Sequence, residues 1–261
     1  MKKLWRALVV LVLTAALAVC LYPTARGYWR EWRFDPAHCT PAEEAVMAFS
    51  QSSGTPYRLW PESLIALLER NPETEDFVLS YPEEHAQSHT VELSEYLDCP
   101  GVPLFLQWDK RWGYLQYGDD VAGLTGCGPV CLSMVAFSLT RDPAMSPDNL
   151  IRFALDEGYC RRGSGSSWTL ISEGAGKLGL RATELPLVEG MIRGYLEAGS
   201  PIICAMGPGD FTSTGHFIVL TGLEDGLLCV NDPNSIARSE TRWDYEQIAG
   251  QIRNLWVVEK P

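Results

Sequence analysis

The order of the secondary-structure patterns limits the possible folds of this chain more than any other feature. After about residue 100, helix patterns come first and strand patterns follow. The helix patterns cover residues 128–138, 146–159, 167–178 and 187–199. The strand patterns cover 201–206, 216–222, 227–231 and 254–260, with a short helix at 245–249 before the last. This order predicts an α+β domain over residues 99–261, with its helices on one side of an antiparallel sheet.

Residues 41–98 form an acidic segment that we interpret as a small helical extension before that domain. Thr40 is a helix N-cap signal, and the next helix pattern puts Leu64, Leu67 and Leu68 on one face. The segment is too short and too polar to bury a large core alone. We therefore predict that it is an extension of the main domain.

The N-terminus has the pattern of a targeting segment. Lys2, Lys3 and Arg6 precede an apolar run over residues 7–22. That run is short for a spanning helix, which needs about 20 residues. A cleaved signal peptide and an uncleaved signal anchor both fit residues 1–22. We favour the anchor.

If residues 1–22 are an anchor, residues 23–40 form a juxtamembrane linker and the bulk of the protein lies outside the cell. We predict an exported protein, either held at the cell surface by this segment or secreted. Membrane contact is expected through the N-terminal segment alone.

The charge of the chain excludes one large class of partner. The net charge is −12. Nucleic-acid binding needs clustered Lys and Arg to meet phosphates, so we predict no nucleic-acid partner. We interpret the charge as an acidic, solvated exterior, and we expect a monomer.

The cysteine and histidine spacing does not favour a metal site. The chain has eight Cys and four His, and no CxxC occurs. We therefore predict no metal and no cofactor. Cys39 and Cys99 flank the acidic segment and could form a disulfide outside the cell, the alternative being two free thiols. Cys204 and Cys229 lie in strand patterns and are expected to be buried thiols.

The stretch Gly126-Cys127-Gly128-Pro129 predicts a sharp turn into a helix. Pro129 suits the first helical turn, where its missing N–H would have no partner anyway. Cys127 would then occupy the N-cap, where the helix dipole and free N–H groups favour a thiolate and can hold an oxyanion. The alternative for Cys127 is a small core residue. Cys131 lies one turn further along and is expected to pack in the core.

A cysteine nucleophile needs a base, and His216 is the best placed histidine. It begins an apolar strand pattern, whereas the other three histidines lie in the linker and in the acidic segment. A histidine beside a strand is more often structural. The spacing between His216 and Asp232 must therefore decide between a structural and a catalytic role.

The stretch that follows His216 reads as a hairpin with Asp225-Gly226 at its turn. A three-residue or wider loop puts His216 and Asp232 on the same face, because side chains alternate along a strand. A two-residue turn would put them on opposite faces. An Asp beside the His would fix its tautomer. The alternative for Asp232 is a turn residue before Pro233.

Four stretches, QWDKRWG, GCGPVCLSMV, GHFIVLTG and VNDPNS, together resemble the peptidase family 39-like proteins. These are papain-fold cysteine peptidases, and the resemblance spans residues 101–260. It implies Cys127 as nucleophile, His216 as base and Asp232 as the residue that orients it. It also implies that Gln107 donates to the oxyanion. One departure is Val130, where a small polar residue is usual.

Two loops are candidates for the substrate cleft. Residues 161–168 contain Ser166 and end at Trp168, and residues 207–216 contain Asp210 and lead to His216. The second loop could move as a lid, although both also fit ordinary surface loops. Trp108 is a further candidate for a groove, the alternative being core packing.

Two functions follow from these patterns. The first is an exported thiol hydrolase that cleaves a peptide or related amide bond, with a peptide-like substrate. The alternative is a catalytically silent papain-fold surface module that binds peptide or cell-wall material. Intact catalytic residues favour the hydrolase.

Overall fold

The computed structural model of the chain describes residues 2–161, 163 and 165–261. Two compact units make up the chain, Met1–Pro82 and Glu83–Pro261. The division falls earlier than the boundary between residues 98 and 99 expected from the sequence. Arg162 and Ser164, in the first predicted cleft loop, lie outside the described residues.

The first unit is helical. Its helices are α1 (Lys2–Trp32), α2 (Pro41–Ser53), α3 (Glu62–Arg70) and α4 (Glu75–Glu84), whose last two residues lie beyond the division. Trp60 is fully buried, and its Nε1 donates a hydrogen bond of 2.8 Å to the carbonyl of Val78. Leu64, Leu67 and Leu68 are buried on α3 as predicted.

Helix α2 begins where its sequence signal predicts. The Thr40 hydroxyl accepts a hydrogen bond from the Glu43 N–H, and the Glu43 carboxylate accepts one from the Thr40 N–H, at 3.3 and 2.9 Å. This reciprocal capping satisfies two N–H groups that the helix itself cannot.

Helix α1 contains the apolar run and continues into the segment predicted to be a linker. Its C-terminal part packs within the unit, because Arg30 lies over the ring of Tyr57 and Arg58 lies over that of Tyr28. Over the part of the chain that the structure describes, no helix combines the length and apolar character needed to cross a membrane. The side chains of Lys2, Lys3 and Arg6 lie outside the described part.

The second unit contains the predicted α+β domain. Its helices are α5 (Ala122–Thr125), α6 (Cys127–Thr140), α7 (Pro147–Asp156), α8 (Thr169–Ser172), α9 (Gly174–Lys177), α10 (Glu189–Glu197), α11 (Ile236–Glu240) and α12 (Tyr245–Ala249). Two short hairpins are formed by β1 (Gln116–Tyr117) with β2 (Asp120–Val121), and by β3 (Cys160–Arg161) with β4 (Gly165–Ser166). The sequence has no clear strand or hairpin pattern at these positions, and the two hairpins were not predicted.

The main sheet is antiparallel throughout its described pairs. Its strands are β5 (Arg181–Glu184), β6 (Ile202–Met206), β7 (His216–Glu224), β8 (Leu227–Asn231), β9 (Arg242–Trp243) and β10 (Ile252–Glu259). Their order across the sheet is β5-β10-β6-β7-β8-β9. The four long strands were predicted, whereas the short edge strands β5 and β9 were not.

Helices cover both faces of this sheet, and the prediction of a single covered face was wrong. Ile203 and Ala205 of β6 belong to the same apolar cluster as helix α6. Ile202 and Cys204, which alternate with them, pack in a second cluster with Ile192 of α10. Every residue of β6 is buried, as expected for a strand covered on both sides.

The helix predicted over residues 167–178 is broken into α8 and α9. Glu173 separates them, and the backbone φ there is −112°. Gly174 and Gly176 follow, and glycine gives little support to a continuous helix. A Cβ at Gly174 would lie 3.3 Å from the ring of Tyr159, so a side chain there would need a small shift of that ring.

Candidate active site

Cys127 is the first residue of α6, one residue later than the predicted N-cap. Gly126 takes the N-cap position, and a Cβ there would lie 2.7 Å from the Ala122 carbonyl oxygen. A Cβ at Gly128 would lie 2.4 Å from the Ser166 hydroxyl oxygen. Both glycines are therefore needed for steric reasons. They leave Cys127 half-buried at a helix end whose first N–H groups have no partner within the helix.

His216 is the first residue of β7 and pairs with Met206 of β6. Its side chain is 8% exposed, and its Nε2 lies 2.7 Å from Asp232 Oδ1. Cys127 and His216 line the same cavity, and the Cys127 thiol acts on the imidazole by raising its pKa. The structure therefore brings the three predicted residues together, with His216 in the middle.

The hairpin turn is the two-residue alternative, for which the sequence pattern predicted His216 and Asp232 on opposite faces. Glu224 pairs with Leu227, so the turn contains Asp225 and Gly226 alone. Both have positive φ, 50° and 79°, as a type I′ turn requires. A regular ladder from this turn would put His216 and Asp232 on opposite faces of the sheet.

A β-bulge corrects that register. The pairing shifts by one residue between Leu220 and Gly222, so Thr221 is the extra residue on β7. Beyond the bulge, Val219 pairs with Asn231. This register gives His216 and Asp232 the same side-chain direction. The side chains of His216 and Asp232 therefore lie on the same face of the sheet, because a two-residue turn is combined with a bulge.

Asp232 is fully buried and accepts several hydrogen bonds. Besides His216, the Asn234 N–H donates to Oδ1 at 2.8 Å and Arg238 Nε donates to Oδ2 at 2.5 Å. The bond from Asn234 is a local turn contact. Asp232 is therefore both the turn residue and the histidine partner, the two alternatives left open by the sequence.

The charges of this group depend on one another. Burial by itself lowers the pKa of His216, but the Asp232 carboxylate and the Cys127 thiol raise it to about 10. Burial likewise raises the pKa of Asp232, and the positive charges of His216 and Arg238 hold that pKa below its usual value. His216 is therefore an imidazolium and Asp232 a carboxylate at neutral pH.

Gln107 is buried, and its main chain contacts the residue that follows Asp232. Its Nε2 donates to the Gly123 carbonyl at 2.8 Å, and its main-chain N–H donates to the Pro233 carbonyl at 2.7 Å. Its Oε1 is buried and has no hydrogen-bond partner among the described residues. One amide hydrogen is thus engaged by Gly123, and an oxyanion role would use the other.

A cavity of about 760 Å³ contains both Cys127 and His216. Ser166 and Trp168 line it, as predicted for the first cleft loop. Other described residues that line the cavity are Tyr117, Asp119, Asp120, Leu124, Arg161, Met206, Gly207, Pro208, Gly215 and Arg253. A groove of this size can hold several residues of a peptide.

Trp108 and Asp210 are not among the described residues that line the cavity. Trp108 Nε1 donates to the Asn234 carbonyl at 3.1 Å, which ties it to the loop after β8. The Asp210 N–H and carboxylate bind Gln251 at 2.7 and 2.6 Å. Asp210 thus anchors the loop that leads to His216.

The cysteines other than Cys127 differ in their burial. Cys131 is fully buried, and burial raises its pKa well above its usual value. It packs in the core as predicted. Cys204 is likewise buried, whereas Cys229 is half-buried, and Cys39 and Cys99 are free thiols. Over the described residues, no group of three or more His, Cys, Asp or Glu could hold a metal ion.

The chain matches a family model of known proteins. The Peptidase_C39-like family model matches residues 189–259, which include His216 and Asp232 but not Cys127. The chain is similar to the C39-like peptidases. The predicted resemblance to a cysteine peptidase is therefore confirmed, and the match is shorter than the stretch over which the sequence suggested it.

Two solved structures of C39 peptidases are also similar to the chain. The peptidase domain of Streptococcus ComA, a bifunctional ABC transporter of a quorum-sensing pathway, is 20% identical, with a TM-score of 0.40. That match covers 52% of this chain and 93% of the ComA domain. A protein described as a C39-like peptidase from Bacillus anthracis is 16% identical, with a TM-score of 0.36, over 61% of this chain and 95% of its own. No curated protein matches the chain.

Proposed function

We propose that the chain is a thiol hydrolase that cleaves a peptide or related amide bond. The observation that carries this proposal is the position of His216, between the buried Asp232 carboxylate and the Cys127 thiol and at the edge of a cavity. A thiol, a base and a group that orients the base are the parts that nucleophilic acyl transfer needs.

In the first step the Cys127 thiolate attacks the carbonyl carbon of the substrate. A C–S bond forms and the carbonyl electrons move to oxygen. The Cys127 N–H and the second amide hydrogen of Gln107 are the proposed donors to that oxyanion. The C–N bond then breaks, and the proton of His216 Nδ1 passes to the leaving amine.

In the second step His216 is neutral and accepts a proton from water. The hydroxide that results attacks the thioester carbonyl, the C–S bond breaks and the carboxylic acid product leaves. Cys127 is again a thiolate and His216 an imidazolium. Asp232 holds the ring through both steps, since its Oδ1 faces Nε2.

A panel of fluorogenic peptides and amides tests this proposal. The wild-type protein should release product, and Cys127→Ala should lose roughly 10⁶-fold in kcat, the effect of removing a nucleophile in other enzymes. Cys99→Ala should match wild type. Binding of the peptides by wild type with no product at any pH would contradict the proposal and favour the silent binding module.

The proposed location is outside the cell. The basic residues before the apolar run and the short length of that run support an export signal or anchor. Fractionation of cells that make the protein, with mass spectrometry of its N-terminus, tests this. A full-length protein in the cytosolic fraction would contradict it, and the mature N-terminus would distinguish a cleaved signal from an anchor.

A further inference from the structure

The two oxygens of the Asp232 carboxylate have different cationic partners. Oδ1 lies 2.7 Å from His216 Nε2, and Oδ2 lies 2.5 Å from Arg238 Nε. Asp232 is completely buried, whereas the Arg238 side chain is 28% exposed. The carboxylate is therefore placed between a cation that changes its charge during the reaction and one that does not.

The backbone around Arg238 is held in place. The Ser235 hydroxyl accepts the Arg238 N–H at 3.2 Å, and Trp243 Nε1 donates to the Arg238 carbonyl at 3.0 Å. On the other side, the Asp232 N–H donates to the Ser239 hydroxyl at 2.9 Å. Short helix α11 and the loop before it thus fix the guanidinium relative to the carboxylate.

A buried carboxylate is costly unless a cation compensates it. In the proposed reaction His216 gives its proton to the leaving amine and becomes neutral. At that stage Arg238 is the remaining cation in contact with Asp232. Its positive charge also favours the deprotonated forms of its neighbours, so it eases the release of the proton from His216.

We propose that Arg238 is a positioning residue that keeps Asp232 ionised and correctly oriented in both charge states of His216. The inference rests on the proposed hydrolase. Among the described residues, the titratable and charged groups that interact with this carboxylate are His216 of β7, Arg238 of α11 and the Cys131 thiol of α6. The Cys127 thiol acts on His216. Arg238 is thus the partner whose charge stays constant.

Substitution of Arg238 should change the pH dependence as well as the rate. In Arg238→Gln the missing positive charge raises the pKa of both Asp232 and His216. The acid limb of the pH profile of kcat/KM, set by Asp232, and the alkaline limb, set by His216, should therefore both move to higher pH by about one unit. Arg238→Lys keeps the charge but loses the planar guanidinium. It should leave the limbs in place and lower kcat.

A nearby arginine supplies the matched control. Arg242 pairs with Glu224 at 2.5 Å on the exposed side of β9. Arg242→Gln should keep both the rate and the limbs of the profile. Limbs that stay fixed in Arg238→Gln, or that move equally in Arg238→Lys, would overturn the inference. If Arg238→Gln does not fold, Arg238→Ala is measured in the presence of methylguanidinium, which replaces the missing side-chain cation. The limbs of the pH profile should move as the methylguanidinium is diluted, and limbs that do not move overturn the inference.

A second measurement needs no turnover. The chain has four histidines, so the ring resonances of His216 can be assigned by NMR from their loss in a His216→Gln variant. In a Cys127→Ala background, Arg238→Gln should raise the titration midpoint of His216, and an unchanged midpoint overturns the inference. If wild type hydrolyses nothing, the proposed function fails, while this titration still decides the role of Arg238.

Discussion

His216 Nε2 lies 2.7 Å from Asp232 Oδ1, although the tight turn between their strands would by itself direct the two side chains to opposite faces. The extra residue at Thr221 changes the register and removes the conflict. A bulge beside a candidate active site re-aims a side chain without lengthening the turn. Burial opposes the charges of the pair, and the attraction between the imidazolium and the carboxylate outweighs it.

Cys127 should be the most reactive thiol of the folded protein. It lies at the start of α6 and lines the cavity together with His216, which can accept its proton. Iodoacetamide at neutral pH should therefore modify it before the half-buried Cys99, Cys160 and Cys229, and His216→Ala should slow the reaction roughly 10²-fold. Peptide mapping by mass spectrometry measures this. Equal labelling of these four thiols would contradict the higher reactivity predicted for Cys127.

Asp232→Asn should reduce turnover strongly. The amide cannot stabilise the imidazolium and favours the wrong tautomer, an effect that reaches roughly 10⁴-fold in kcat in other enzymes. Asp244→Asn is the control, because Asp244 caps α12 through a single bond to the Glu246 N–H. Steady-state kinetics of the two variants provides the comparison, and equal losses would show that the effect is not specific to the site.

The stability of the protein should depend on pH through His216. The pKa of His216 is about 10 in the folded state, against a usual value of 6.5. The folded state therefore holds a proton that the unfolded chain loses above pH 6.5. This stabilisation is complete below pH 6.5 and is lost as pH rises through 10. Urea unfolding from pH 6 to 10 should show the free energy of unfolding falling, with a smaller slope in His216→Gln.

Gly128→Ala should destabilise the protein, because the new Cβ would lie 2.4 Å from the Ser166 hydroxyl. Overpacking of this kind costs about 1–3 kcal/mol. Gly176→Ala, with nothing within 4 Å of its Cβ and a helical backbone, should instead stabilise by about 0.5–1 kcal/mol. Thermal melts measure both, and Ser166→Gly should restore part of the loss in Gly128→Ala.

Local patterns in the sequence predicted the elements that local interactions control. The reciprocal cap of Thr40 and Glu43, the start of α6 near Cys127 and the long apolar strands all depend on residues close together in the chain. The turn at Asp225-Gly226 was located for the same reason. Its length stayed open between two and more residues, because the choice between turn types depends on the twist of the paired strands.

Contacts that no local sequence pattern specifies decided the rest. The bulge at Thr221 depends on how β7 pairs with β8, and Arg238 follows no motif that points to Asp232. The second covered face of the sheet depends on where α10 packs. The sequence by itself therefore determined which residues could do the chemistry. Tertiary packing decided the register, the burial and the second cation, because each depends on groups that only the folded chain brings together.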